Sequence, residues 1–205
     1  MIKKLLIAIL CCLPAATFAQ LSVVPSGSVG MSDFKLKYKG ISDFKPDVGF
    51  GGDVTLRYSI PYSYIYVSAG IGFLNYKSIN DAVPPKEPEL DPEYIGHAYL
   101  DERLNSLYFP LTVGFYLPDK KLSPLVEAGG ILNVVLSTGD FTKAGGYDEK
   151  QAIFSFMAGA GVRYKLYKEN ALEVKFRYTQ STNMLELSGS RWSYFSLNVG
   201  YSIKL

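Results

Sequence analysis

Cysteine, histidine and long apolar stretches are all scarce in this sequence. Its 205 residues include two cysteines and one histidine. The longest apolar run lies near the start, from Leu5 to Leu13, and it is too short to cross a bilayer as a helix, which needs about 20 apolar residues. No later segment of the sequence approaches that length. If the chain enters a membrane, it must therefore do so with β-strands.

The first 19 residues have the pattern of an export signal. Lys3 and Lys4 precede the apolar run, and Thr17-Phe18-Ala19 supplies the small residues that a signal peptidase requires. We predict a signal peptide over residues 1–19, which is cleaved, and a single domain over residues 20–205.

A lipoprotein is the alternative that Cys11 raises. Ile9 and Leu10 lie where the lipid-attachment motif has small residues, which disfavours this alternative. Both cysteines, Cys11 and Cys12, then leave with the signal peptide. The mature chain is expected to have no disulfide, no cysteine nucleophile and no thiolate metal site, and the sequence indicates no cofactor.

Net charge is also low. Cleavage would remove Lys3 and Lys4 and no acid, so the 21 basic residues fall to nineteen, against 19 acidic ones. This balance gives no reason to expect nucleic-acid binding. The 16 tyrosines, 12 phenylalanines and 19 glycines favour an aromatic-rich sheet over helices.

Apolar and polar residues alternate with a period of two along nearly the whole mature chain, which is the pattern of a strand with two different faces. One face of the stretch at 107–117 carries Leu107, Phe109, Leu111, Val113, Phe115 and Leu117. Its other face carries Tyr108, Pro110, Thr112, Gly114 and Tyr116. Eight such stretches are present, counting a weaker first one from Leu21 to Ser32.

Short and long connections alternate between these stretches. The short ones lie near 61–63, 118–123 and 166–170, and the longer ones near 33–47, 78–103, 139–150 and 183–190. Short periplasmic turns and longer external loops are typical of outer-membrane barrels, and an even strand number places both termini on the periplasmic side. We predict an all-β fold, an eight-stranded antiparallel up-and-down transmembrane β-barrel. A soluble barrel such as a lipocalin, with its apolar face turned inward, is the alternative.

The C-terminal residues carry a second pattern that indicates location. Residues 198–205 resemble the C-terminal recognition signal of bacterial outer-membrane barrels, with the pattern at Asn198, Gly200, Ile203 and Leu205. Together with the export signal, this predicts the outer membrane as location. Outer-membrane lipid and, during biogenesis, the barrel assembly machinery are then the expected partners.

The stretch from Leu104 to Ser137 carries a more specific pattern. A strand of the form Leu-x-x-Leu-x-x-Pro-Leu leads through a short turn into Pro-x-x-x-x-Gly. The matching residues are Leu104, Leu107, Pro110, Leu111, Pro124 and Gly129. This hairpin resembles the central hairpin of the outer-membrane β-barrel domain family abundant in Bacteroidetes, often labelled porin family or PorT-like. The resemblance implies the fold and an outer-membrane location in a Bacteroidetes-type bacterium, and it assigns no activity.

Charged residues fall on the polar face of several strands. Arg57, Glu127, Arg163 and Glu173 each lie about three residues from the predicted periplasmic end, at one depth if shear is ignored. Such residues would alternate as Arg-Glu-Arg-Glu and form charge-assisted pairs. Asp53, Lys175 and Arg177 would extend this network upward. We favour a structural plug over a selectivity filter or proton path, and an eight-stranded barrel leaves no room for a wide pore.

A lipid-modifying enzyme is a rival class. His97 lies near Glu93, Asp101 and Glu102, and Ser106 or Ser78 could be a nucleophile. No spacing fixes a base beside a nucleophile, so we predict a solvated loop histidine and no catalysis.

The acidic loop at 78–103 is the most distinctive segment outside the predicted membrane region. Its candidate contact residues are Glu89, Asp91, Glu93, Tyr94 and Tyr99. It could meet a basic surface partner or a divalent cation, although a solvated acidic loop is favoured. The expected role is structural or interactive at the surface. The alternatives are a narrow channel for small solutes or ions, a lipid-modifying enzyme and a component of a secretion assembly.

Overall fold

Eight strands account for almost all of the chain that can be described. The computed structural model describes residues 20–35, 44–80, 101–117, 120–138, 152–167, 169–182 and 191–205. The strands are β1 (Leu21–Lys35), β2 (Phe44–Ser59), β3 (Ile65–Asn80), β4 (Asp101–Tyr116), β5 (Leu122–Thr138), β6 (Ala152–Lys165), β7 (Ala171–Ser181) and β8 (Arg191–Lys204). Among the described residues, no helix is long and apolar enough to span a bilayer.

Each strand pairs antiparallel with its neighbours in sequence, and β1 pairs with β8, so the sheet closes into a barrel. The predicted eight-stranded antiparallel up-and-down barrel is therefore confirmed. Both described ends of the chain lie at one end of the barrel, which we call the turn end. At this end β2 leads into β3, β4 into β5 and β6 into β7. The opposite end, where the chain leads into residues 36–43, 81–100, 139–151 and 183–190, is the loop end.

The strands extend further towards the loop end than predicted. Residues 78–80 and 101–103 were expected in a loop but belong to β3 and β4, because pairing continues through Lys77 with Arg103 and Ile79 with Asp101. Residues 33–35 and 44–47 likewise belong to β1 and β2. Backbone ladder bonds do not depend on side-chain polarity, so a strand continues after its apolar alternation has ended.

The two faces of the barrel wall differ as the alternation predicts. Large apolar side chains point outward and are exposed, among them Phe50, Leu111 and Phe156, with exposed fractions near 60% (59%, 61% and 62%). Polar side chains such as Ser68, Thr112 and Asn133 point inward and are buried. A soluble barrel would have the reverse arrangement, so the lipocalin-like alternative is wrong for this fold.

The interior is divided along the barrel axis. Ten buried side chains in the half nearer the loop end form an apolar layer. They are Leu74, Tyr76, Leu104, Tyr108, Ile131, Val135, Ile153, Met157, Trp192 and Tyr194. Charged and hydroxyl side chains fill most of the half nearer the turn end, together with a small aromatic cluster that includes Tyr66 and Tyr116.

Gly114 makes room for one of these rings. It lies opposite Tyr66 in the β3–β4 pair, and a Cβ at this position would overlap the Tyr66 ring. That ring is completely buried, and its hydroxyl donates to Glu127 Oε2 at 3.1 Å, so it has little freedom to move aside. The glycine therefore serves ring packing on the inward face.

We expect Gly114→Ala to lower the free energy of unfolding by about 1–3 kcal/mol, the usual cost of overpacking. Gly27→Ala is the matched control, because nothing lies within 4 Å of a Cβ at that position, and it should stay within about 0.5 kcal/mol of wild type. Equilibrium unfolding of the purified protein in detergent micelles measures both. Equal effects of the two substitutions would contradict the assigned role of Gly114.

A candidate functional site in the barrel lumen

Seven of the charged side chains that the structure describes are buried inside the barrel. The structure places Asp53, Arg57, Glu127, Arg163, Glu173, Lys175 and Arg177 on the inward face, each no more than 6% exposed. They come from β2, β5, β6 and β7, at positions that the two-residue period turns away from the apolar face. Burial of so many charges is costly unless each has a partner, so their pairing decides what the lumen can do.

Three of them form a group near the turn end, which we call the turn-end triad. Arg57 and Glu173 pair through two hydrogen bonds, one from Arg57 Nη1 to Glu173 Oε1 and one from Nη2 to Oε2 at 2.9 Å. The Arg57 guanidinium also lies 4.2 Å from the centre of the Tyr66 ring. Arg163 is the third member, with its Nε 3.7 Å from Glu173 Oε1. The Arg57–Glu173 pair is bidentate, with two parallel hydrogen bonds, which is the strongest geometry for an arginine and a carboxylate.

The other four form a central tetrad. Glu127 Oε2 accepts from Lys175 Nζ at 2.9 Å, and its Oε1 accepts from Arg177 Nε at 3.2 Å and from Nη2 at 3.0 Å. Arg177 Nη1 donates to Asp53 Oδ2 at 3.1 Å. Asp53 also accepts from the hydroxyls of Ser26 at 2.6 Å and Tyr108 at 2.5 Å. Both carboxylates of the tetrad are thus well supplied with donors.

This pairing differs from the predicted alternation at one depth. Glu127 was expected beside Arg163, but its salt-bridge partners are Lys175 and Arg177. The reason is the register, because Glu127 lies opposite Gly159 of β6, and Gly159 lies opposite Arg177 of β7. Glycine has no side chain to block the way, so the Glu127 carboxylate reaches across β6 to the next strand. The stagger of the strands decided the partners, as shear does in any barrel.

Charge is balanced in the tetrad and unbalanced in the triad. The tetrad contains two carboxylates and two cations, whereas the triad contains Arg57 and Arg163 against Glu173 alone. Among the buried side chains that the structure describes, one positive charge is therefore in excess, and it lies at the turn end.

Two hydroxyl groups complete the site and were missed from the sequence. Tyr66 donates to Glu127 and Tyr108 donates to Asp53. A signal for them was present, since each tyrosine lies opposite an inward glycine, Tyr66 opposite Gly114 and Tyr108 opposite Gly72. Glycine–aromatic pairs across neighbouring strands are a known way to fill a barrel interior.

The C-terminal pattern is placed at the seam with β1. Asn198 points inward, is 1% exposed and donates to Ser196 Oγ at 2.9 Å. Ile203 and Leu205 point outward and are 39% and 56% exposed, while Gly200 lies opposite Ser26 of β1 and Glu173 of β7. Their role as an assembly signal stays a prediction.

Other predicted sites lie outside the described residues. Glu89, Asp91, Glu93, Tyr94 and Tyr99 are among these, as is His97, and so is the predicted signal peptide at 1–19. Ser106 is fully buried, and its hydroxyl has no hydrogen-bond partner in the part of the chain that is described. Nothing in this geometry places a base beside Ser106.

Comparison with known proteins decides the family. The family model described as outer membrane protein beta-barrel domain matches residues 5–202. The chain belongs to the outer membrane β-barrel domain family. It is an integral protein of the cell outer membrane, in agreement with the predicted location.

Solved structures give the same fold for this outer membrane barrel. Neisserial surface protein A aligns with a TM-score of 0.54 at 15% identity, covering 91% of this chain and 97% of the other. The outer membrane protein OprG from Pseudomonas aeruginosa aligns with a TM-score of 0.53 at 15% identity, covering 91% and 96%. A search of curated protein sequences returned no significant match. Identities this low show the shared fold and carry no activity over to this barrel.

Proposed function

We propose that this outer membrane barrel has a closed lumen, held shut by the triad and the tetrad, and that its role is structural or interactive at the surface. The observation that carries this proposal is the set of ion pairs that cross the lumen. Arg57 of β2 pairs with Glu173 of β7, and Arg177 of β7 pairs with both Asp53 of β2 and Glu127 of β5. These links join strands that are two or three positions apart around the barrel, so their side chains occupy lumen space that a solute would need.

The small size of a cavity at mid-barrel supports the same proposal. A cavity of about 10 Å³ lies where the tetrad meets the apolar layer, between Tyr108, Arg177 and Tyr194. That volume is close to the minimum for a single water molecule. The apolar layer lies between this cavity and the loop end and would resist entry of water. Apolar constrictions of this kind close the pores of channels.

Several finer points are part of the proposal. The hairpin around Pro110 and Pro124 supports a PorT-like member of the family from a Bacteroidetes-type bacterium. Contact with a surface partner through residues 78–103 belongs to the proposed surface role. Transport of small solutes or ions, lipid modification and membership of a secretion assembly are the rival roles. The charged side chains that line the lumen are what make the narrow channel the leading rival.

Single-channel recording tests the closed lumen. We expect the inserted wild-type protein to be electrically silent in a planar bilayer. A variant with serine at Asp53, Glu127, Lys175 and Arg177 removes two charges of each sign and should leak ions, because the side chains that cross the lumen are gone. Serine at Lys165 and Glu169, an ion pair at the turn end, is the matched neutral control and should stay silent.

Steady, ion-selective steps from the wild type would overturn the proposal and make the lumen charges a filter. Silence of the folded tetrad variant would show that the ion pairs are not the closing element. Insertion in each case is checked by the heat-modifiable shift of the folded band on a gel.

A further inference from the structure

A cavity of about 180 Å³ opens at the turn end of the barrel, next to Arg163 of the triad. Six of its lining residues carry polar or charged groups that matter here: Ser22, Ser59, Tyr116, Arg163, Glu169 and Lys204. We call it the turn-end pocket. It lies beside the buried cation that is left in excess by the ion pairs of the described residues.

Arg163 is that cation. Its side chain is 6% exposed, and its nearest carboxylate oxygen is Glu173 Oε1, 3.7 Å from Nε. Glu173 is already held by both terminal nitrogens of Arg57. Within the described chain, Arg163 Nε has no hydrogen-bond partner, and its one hydrogen bond runs from Nη2 to the Glu169 carbonyl at 3.3 Å. Tyr116 supplies a ring face 4.6 Å away but no negative charge.

The other charged groups around the pocket do not cancel this excess. Glu169 is the only acid among the lining residues, and its carboxylate pairs with Lys165 and lies 4.0 Å from Lys204. The hydrogen bond from Lys165 keeps the pKa of Glu169 below its ordinary value of 4.5. Among the described side chains of the triad and the pocket rim, the four cations Arg57, Arg163, Lys165 and Lys204 therefore outnumber the two carboxylates Glu169 and Glu173.

We propose that the turn-end pocket binds one small oxyanion, a carboxylate or a phosphate, through the guanidinium of Arg163. A planar guanidinium offers parallel N–H donors that match two oxygens of such a group. Lys204 adds charge, and the hydroxyls of Ser22, Ser59 and Tyr116 are neutral donors on the same wall. Ser59 and Tyr116 already share a hydrogen bond of 2.7 Å, so one of their protons stays free to face the pocket.

The size of the pocket limits the ligand. A volume of about 180 Å³ is enough for a small anion together with a few water molecules. The ligand class is therefore a free small oxyanion or the terminal group of a larger molecule that stays outside.

Nuclear magnetic resonance of the arginine Nε–H groups tests this directly. The purified protein in nanodiscs is titrated with inorganic phosphate or with acetate, while chloride keeps the ionic strength constant. We expect the Arg163 Nε–H resonance to shift and saturate, with a dissociation constant of about 1 mM or tighter. Saturation by phosphate alone, acetate alone or both identifies the chemistry that the pocket prefers, and each supports the proposal.

Three variants make the test specific. Arg163→Lys keeps the positive charge but loses the parallel N–H donors of the guanidinium, so the affinity for the probe anion should fall at least roughly tenfold. Lys204→Gln should weaken binding while leaving the Arg163 resonance observable. Arg191→Gln, at the loop end of β8, is the matched control and should bind as wild type does.

The proposal is overturned if neither probe gives a saturable shift at Arg163, or if every arginine shifts alike. It is also overturned if Arg163→Gln binds the probes as tightly as wild type, which an isothermal titration measures independently. Arg163→Gln removes an unbalanced charge and is expected to fold, and its heat-modifiable band confirms this. None of these outcomes depends on whether the lumen conducts ions.

Discussion

Replacing Glu173 by glutamine should lower the free energy of unfolding by about 3–5 kcal/mol, the usual cost of removing one partner from a buried ion pair. Glu173 is completely buried, and Arg57 beside it is 1% exposed. Without the carboxylate, the guanidiniums of Arg57 and Arg163 face each other with no compensating charge. Urea unfolding of the purified protein, followed by the fluorescence of the single tryptophan, measures the loss.

Two controls separate this effect from a general loss of charge. Glu169→Gln removes a carboxylate that is 44% exposed and paired with Lys165, and a pair at the surface contributes about 0–1 kcal/mol. The double change Arg57→Met with Glu173→Met removes both partners and should recover most of the stability, because apolar replacements of a buried pair are often neutral. A loss below about 1 kcal/mol for Glu173→Gln would contradict the ion pair as a stabilising contact.

Trp192→Ala should have an effect of similar size, about 3–5 kcal/mol, as expected for a large ring removed from a packed interior. Trp192 is 1% exposed and has the largest side chain among those fully buried in the described part of the barrel. Its ring centre lies 4.2 Å from that of Tyr76, which in turn packs edge-on against Tyr194 at 5.1 Å. The substitution opens a cavity in the apolar layer, and the gel shift of the folded band against urea concentration reports the loss.

Trp192→Phe is the matched control for that change. Phenylalanine keeps a ring against Tyr76 and removes an indole N–H that has no hydrogen-bond partner among the described residues. The cost should therefore stay below about 1.5 kcal/mol. If alanine and phenylalanine were equally damaging, the stabilisation would have to come from the indole nitrogen and not from ring packing.

The fold could be predicted because strand alternation is a local property. Every residue from Leu107 to Leu117 lies on the face that its position in the alternation assigns, since side chains two residues apart must share a face. Strand ends were less predictable. Lys77 pairs with Arg103 inside the sheet although neither residue is apolar, because ladder bonds join backbone groups and leave no trace in hydropathy.

The membership of the lumen site follows from the same alternation, but its pairing does not. Which carboxylate meets which cation depends on the stagger between strands, and stagger is a property of the closed sheet. Glu127 illustrates the point, since its partners lie two strands away and are reached across Gly159. The hydroxyls of Tyr66 and Tyr108 were missed because only the charged residues of the polar face were considered as members of the network.

The ion pairs between β2 and β7 have a consequence for the order of folding. Arg57 and Glu173 are 116 residues apart in sequence, and Asp53 and Arg177 are 124 apart. These strands flank β1 and β8 on either side of the closing seam, so a sheet that has not yet closed holds all of these charges without their distant partners. Contacts of such large sequence separation form late. Pairing of β1 with β8 thus brings all of these ion pairs together in one late step. A barrel that stops before this step lacks their stabilisation and would be exposed to proteolysis.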